Sequence, residues 1–230
     1  MCFSATASFT AGAGLLIIGL VTVRRARTAA ELPFALVPAL FGVQQLIEGA
    51  LWLTFPDKDP LLNVVLTYAY SVFSHVFWPI YVPVAVMLIE GTNWRRKATV
   101  GIAVASAAAG MYLLYALITQ PIVAQVIGHH ITYVSPHFYG TGVMALYLLG
   151  TCISPLFSSH AMVRAFGVAA FISFVAAYVF FALWFISVWC FLAAVMSGFV
   201  LLHFSRPLPA WSGRKAPLPS PRQAGTAVIR

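Results

Sequence analysis

Charge is scarce in this chain, and negative charge is scarcest. Five Asp and Glu residues stand among 230, against 13 Lys and Arg, and charged residues make up 8% of the whole. A soluble domain carries about 25%, so that class is excluded. Lysine occurs only as Lys58, Lys97 and Lys215, none within an apolar run, which excludes a retinal protein built on a Schiff-base lysine in its last span. Aspartate occurs only as Asp57 and Asp59, in a short loop away from His75, so a Ser-His-Asp hydrolase lacks its acid. His75 has no histidine partner at matched depth on a facing span, and a haem carrier with paired axial histidines does not fit. Three cysteines, Cys2, Cys152 and Cys190, are too few for a disulfide framework. A Cys2–Cys190 pair on an oxidising outer face stays open. The opening "MCFSATASF" has no basic stretch ahead of an apolar one and no cleavage site, so it reads neither as a signal peptide nor as a lipid-anchor motif.

What the chain has in abundance is hydrocarbon: 61% hydrophobic residues and a mean hydropathy of +0.92. Crossing a bilayer takes about 20 apolar residues as helix, and seven such stretches can be read. They run near Ser8–Val23, Pro33–Thr54, Val65–Ile89, Ala98–Ile118 and Tyr139–Phe157. The apolar run Ala165–Phe204 is long enough for two and is divided near Leu183–Ile186. Positive charge tests the count, because Lys and Arg concentrate in cytoplasmic loops. With the N-terminus outside, every Lys and Arg except Lys58 falls on the inner side. The fold class is therefore all-α integral membrane, with seven transmembrane helices over residues 1–204, N-terminus outside and C-terminus cytoplasmic. The basic excess reports topology, so the expected partner is the lipid bilayer and not nucleic acid.

Two segments do not span. Residues 205–230 combine prolines and cations with little to bury, and read as a disordered, basic, Pro-rich cytoplasmic tail. The outer loop 120–137, "QPIVAQVIGHHITYVSPH", has β-branched residues flanking a glycine. It reads either as a short hairpin capping the bundle like a lid or as an ordinary irregular loop.

Ionisable groups at bilayer depth are costly and mark functional sites. Glu48 lies in "FGVQQLIEGALW" with Gln44 one turn deeper, and His75 lies in "TYAYSVFSHVFWPIYVP". At 1.5 Å per residue, Glu48 is about 9 Å from Thr54 and His75 about 15 Å from Val65, which puts both in the outer half. Cys2 and the loop histidines His129, His130 and His137 fall on that same side. Thiolate, carboxylate and imidazole thus converge, a donor set that suits copper or zinc. With Met1 removed, the amine of Cys2 would add a chelating nitrogen. Each residue also has a plain reading: Glu48 and His75 as helix-packing groups, Cys2 as a bystander. Cys152 and Cys190 read as small apolar packing residues, and His160 and His203 as inner-side surface groups. Pro79 and Pro83 predict a kink beside His75. "AGAG" and "ASAAAG" predict close helix contacts.

"MCFSATASF", "EGALW" and "SHVFWPIYVP" together resemble an uncharacterised family of bacterial multi-spanning membrane proteins that begin Met-Cys-Phe-Ser-Ala-x-x-Ser-Phe. The resemblance implies a multi-pass protein of the bacterial cytoplasmic (inner) membrane and carries no activity. A weaker similarity, through Ser71 and His75, is to seven-helix zinc hydrolases of the alkaline ceramidase and adiponectin-receptor type. Their His-x-x-x-His step on the last span is matched here only by His203. Three functions follow as expectations: a metal-binding membrane protein, with enzyme activity left open; a proton- or ion-coupled transporter or sensor using Glu48 and His75; or a structural membrane subunit.

Overall fold

The computed structural model describes residues 4–56, 58–128, 130–134 and 140–205. Among them, six helical segments are long and apolar enough to cross a bilayer, and a further apolar helical segment, Thr141–Phe157, is shorter. The first two are α1 (Ala5–Arg25) and α2 (Leu32–Trp52). The third joins α3 (Pro60–Ser71) to α4 (Trp78–Ile89) through a π-helical turn, Val72–Phe77. The fourth is α5 (Asn93–Thr119). Strands β1 (Val123–Ile127) and β2 (His130–Val134) come next. The shorter segment starts as α6 (Thr141–Leu148), passes through a π turn, Leu149–Ile153, and tightens into a 3-10 turn, Ser154–Phe157. The last two are α7 (Ala161–Phe180) and, after a 3-10 turn at Ala182–Trp184, α8 (Phe185–Met196) with α9 (Gly198–Ser205).

Local chemistry sets these limits. Ser4 Oγ accepts from Ala7 N at 3.2 Å at the start of α1, and Arg24 and Arg25 occupy its last turn, where the helix dipole favours cations. Asp59 Oδ1 accepts from Leu62 N at 3.0 Å ahead of Pro60, a capping aspartate followed by a proline whose missing N–H costs nothing there. The long apolar run breaks at Phe181–Trp184, two residues earlier than its hydropathy suggests. The expected kink at Pro79 and Pro83 takes another form. Trp78 N bonds to Phe73 O, one residue farther back than in an α-helix, and α4 continues through both prolines.

Contacts between connections define two ends. At the basic end, Arg25 Nη1 donates to Ser205 Oγ at 2.6 Å, and Arg95 Nη1 donates to Ser158 O at 2.9 Å. There too, His160 lies 3.2 Å from Ile89 O. Glu90 joins two of these connections, its Oε1 accepting from Thr92 N at 2.8 Å and its Oε2 from Ser159 N at 2.5 Å. Burial alone pushes the Glu90 carboxyl up, but these hydrogen bonds outweigh it and hold the group below the usual carboxylate range.

At the opposite end the outer loop is a hairpin, β1 pairing antiparallel with β2 from Val123↔Val134 to Ile127↔His130. Gly128 opens its turn at φ +65°, a conformation that glycine adopts at no steric cost. The hairpin is packed down onto the bundle. Ile131 and Tyr133 are buried, and Tyr133 stacks on the buried Tyr70 of α3 at 4.5 Å with rings 2° apart. Trp184 Nε1 donates to Ile127 O at 3.1 Å.

The bundle is tight inside and apolar outside. A Cβ added at Gly19 would lie 2.5 Å from Ala39 Cβ, and one at Gly12 3.1 Å from Gly42 O, so α1 and α2 meet almost backbone to backbone. Gly110 likewise packs on Ile80, which bears out the small faces of "AGAG" and "ASAAAG". Outward, Ile118 is 76% and Phe180 75% exposed, a surface suited to lipid and not to water.

Candidate functional site

The polar groups the bundle buries concentrate toward the hairpin end, beginning on α2. Gln44, Gln45 and Glu48 are all fully buried. Trp78 Nε1 donates to Gln44 Oε1 at 2.7 Å, and Phe41 stacks on Trp78 at 3.9 Å, which fixes the register of α2 against α4. These helices run in opposite directions. One turn from the Gln44–Trp78 bond toward the hairpin therefore reaches Glu48 on α2 and His75 on the π turn.

Glu48 Oε1 accepts from Ser187 Oγ of α8 at 2.5 Å. Its Oε2 has no hydrogen-bond partner among the described residues, and the same holds for both amide atoms of Gln45, Trp52 Nε1 and Ser8 Oγ. Gln45, Glu48 and Trp52 follow at helical spacing and share one face of α2. Phe9 packs on Gly49, where an added Cβ would lie 3.0 Å from the ring, so the Ser8 turn of α1 stands at the same level. Buried polar atoms in native proteins are nearly always bonded, and clustered exceptions point to something that completes them.

His75 is held by its own helix. Nδ1 lies 3.0 Å from Ser71 O and 2.8 Å from Ser74 Oγ. A carbonyl only accepts, so Nδ1 carries the proton and Nε2 is the acceptor nitrogen. Tyr147 of α6 donates its hydroxyl to Ser74 O at 2.5 Å, tying the shorter segment to the π turn. That approach needs Gly150, because a Cβ there would lie 2.6 Å from Ser106 Cβ and 2.8 Å from Pro79 O.

Cys190 lies one turn beyond Ser187 on α8 and is buried. Gln44 and Tyr70 both lie beside its sulfur, within electrostatic reach of Glu48. Cys190 also borders a small, mostly apolar cavity of about 30 Å³ walled by Phe41, Trp78, Tyr147, Phe166 and Trp189.

Of the six residues the sequence assigned to a metal, Glu48 and His75 share this layer. His130 sits in the hairpin with its ring 4.7 Å from that of Trp184. Cys2, His129 and His137 lie outside the described residues. Among the described residues, no three His, Cys, Asp or Glu gather as a metal-binding group. His203 is at the basic end, 5.0 Å from His160, so it does not join Ser71 and His75 as the zinc-hydrolase pattern would require. The sequence reading missed Ser187, Tyr147 and Ser74, and took Cys190 for a packing residue with a pairing to Cys2 left open. The available signal was "FISVWCFL", where the stretch's hydroxyl and thiol recur at i, i+3.

These features define a multi-pass α-helical membrane protein with a polar layer beneath a β-hairpin. The chain belongs to the family of unknown function DUF6629, matched over residues 1–215, which agrees with the family resemblance of its opening residues. No curated protein and no solved structure matches it.

Proposed function

We propose that the chain is a seven-span protein of the bacterial cytoplasmic membrane, N-terminus outside, that binds a copper or zinc ion in the hairpin-side half of its bundle. The topology rests on charge. The basic end carries the Arg24–Arg27 and Arg95–Lys97 clusters, while Lys58 stands at the hairpin end. Thr141–Phe157 then serves as the fifth span. Its 17 residues cover about 25 Å as helix, a few ångströms short of a typical hydrocarbon core, a mismatch that local thinning accommodates.

One observation carries the metal reading: Glu48 is fully buried, and its Oε2 has no partner among the described residues. A carboxylate in a low-dielectric interior costs several kcal/mol unless a cation meets it, and among the described residues no lysine or arginine bonds to Glu48. Glu48 and His75 are the ligands assigned within the described residues. Cys2, two positions before Ser4, is the thiolate assigned from sequence, and His129, His130 and His137 are the imidazoles assigned from the outer loop.

Metal content by plasma mass spectrometry on gently purified protein is the test. About one equivalent in the parent, lost in Glu48→Gln and His75→Ala, is the expected result. A proton satisfies the same carboxyl, so a proton-coupled transporter is the competing reading. Metal-free parent protein whose conformation follows pH would replace the metal reading with that one.

A further inference from the structure

We propose that the hairpin-side half of the bundle binds a file of hydrogen-bonded waters along α2, from Trp52 past Glu48 to Gln45, open toward the hairpin and closed toward the basic end. The proposal does not depend on the metal reading, because the file is the route by which any ion or proton reaches Glu48.

Five buried atoms line that route without a hydrogen-bond partner among the described residues: Gln45 Oε1 and Nε2, Glu48 Oε2, Trp52 Nε1 and Ser8 Oγ. Ser8, Gln45 and Glu48 have no exposed surface. At about 100° per residue, positions 45, 48 and 52 fall within about 60° of one another around the helix, and the Ser8 turn of α1 stands beside them, where Phe9 packs on Gly49. The set mixes an indole donor, an amide, a hydroxyl and a carboxylate oxygen. Water donates and accepts, so it can satisfy every one of them, whereas an apolar filling would leave each unmet at about 1–3 kcal/mol.

Length decides between one bound ion and several waters. Gln45 and Trp52 are about 10 Å apart along the helix axis. An ion holds its ligands at about 2–2.6 Å, so a single ion cannot touch both ends. Hydrogen-bonded oxygens stand about 2.8 Å apart, and about three or four waters in line cover the distance.

The two ends differ. Two residues beyond Trp52, Thr54 Oγ1 accepts from Asn63 Nδ2 at 2.8 Å, and Thr67 Oγ1 donates to Asn63 Oδ1 at 3.5 Å. Polar side chains therefore lead on from Trp52 to the connection between α2 and α3. In the other direction, a Cβ at Gly12 would lie 2.8 Å from Leu46 Cδ2 and 3.1 Å from Gly42 O, and Phe41 stacks on Trp78 at 3.9 Å. Close backbones and stacked rings seal the bundle beyond Gln45. Glu48 thus exchanges with the hairpin-side solution and not with the basic end.

Proton exchange with water, read by NMR, is the test. The sample is full-length protein in detergent, stripped with chelator so that the outcome is separate from the metal reading, and isotope-labelled at tryptophan and glutamine nitrogens. Trp78 and Trp189 are internal controls, since their indoles donate to Gln44 Oε1 at 2.7 Å and Ala170 O at 3.3 Å. The expected result is a cross-peak to water from both the Trp52 indole and the Gln45 amide. In deuterium oxide the Trp52 indole should exchange about tenfold or more faster than that of Trp78, which needs the bundle to open. Trp52→Phe and Gln45→Leu assign the signals. If both groups are as protected as Trp78, the file is refuted. A wet Trp52 with a dry Gln45 refutes it too, since that is surface exposure of one ring. A density map of the parent that resolves water is the second measurement and needs no variant. About three or four waters ending at Gln45 are expected; side chains closed on one another, or water continuing past Gly42, would overturn the proposal.

Discussion

Glu48→Gln separates a carboxylate that holds an ion from one that merely packs. Glutamine keeps the shape and keeps Oε1 as acceptor for Ser187, whose hydroxyl donates there at 2.5 Å. What changes is the Oε2 position, which loses its charge and gains an amide donor with no acceptor among the described residues. An unmet buried donor costs about 1–3 kcal/mol, while removing an uncompensated charge works in the opposite direction. In chelator the variant should therefore melt within a few degrees of the parent. Zinc changes the comparison. At a hundred times its dissociation constant a ligand stabilises the folded state by about 2.7 kcal/mol. For a chain of this length each kcal/mol moves Tm by about 2–4 °C, so saturating zinc should raise the parent by about 5–11 °C and leave Glu48→Gln unmoved. The assay is thermal unfolding in detergent with chelator or zinc. Equal zinc shifts in parent and variant would refute the assignment of Glu48.

Gly150→Ala should destabilise by about 1–3 kcal/mol through overpacking, since its Cβ would meet Ser106 and Pro79. Gly14→Ala, which meets nothing within 4 Å, should be neutral or slightly stabilising, and thermal melts of the two variants check the contrast. Tyr133→Ala should lose the stack on Tyr70, worth about 0.5–1.5 kcal/mol beyond buried area. Hydrogen exchange should then quicken in β1 and β2, whereas unchanged protection would show that the hairpin stands without that ring. Glu90→Gln should cost about 1.5–3 kcal/mol at neutral pH, the worth of hydrogen bonds to a charged group. The folded-state pKa of Glu90 is depressed, so its contribution is full above the ordinary carboxylate pKa and disappears as pH falls through the folded value. Denaturation curves of parent and variant should separate at pH 7 and converge in acid; a constant gap across that range would contradict the assignment.

Hydropathy carried the bundle well because lipid imposes it. The spans expected near Ser8–Val23 and Pro33–Thr54 are helices at Ala5–Arg25 and Leu32–Trp52. Where the limits moved, charged and capping residues moved them. α5 begins at Asn93 and takes Arg95, Arg96 and Lys97 into its first turns, because long cationic side chains reach the interface from within a helix. α3 begins at Pro60, under the Asp59 cap, and not at Val65. The π turns at Val72–Phe77 and Leu149–Ile153 left no mark in hydropathy, since one extra residue per turn does not change apolarity. Glu48 and His75 stood out as ionisable groups in apolar runs, and their common depth followed from counting residues. Their partners did not. Ser187 looks like an ordinary small residue until the register of α8 against α2 is known, and that register depends on the break at Phe181–Trp184, which no polar turn announces.

The most direct measurement is anomalous scattering at the zinc edge from crystals of the full chain grown with zinc. One peak about 2 Å from Glu48 Oε2, a zinc–carboxylate distance, is the predicted result. A well-ordered bundle with Glu48 and Ser187 in place and no anomalous peak in that layer would contradict the metal centre.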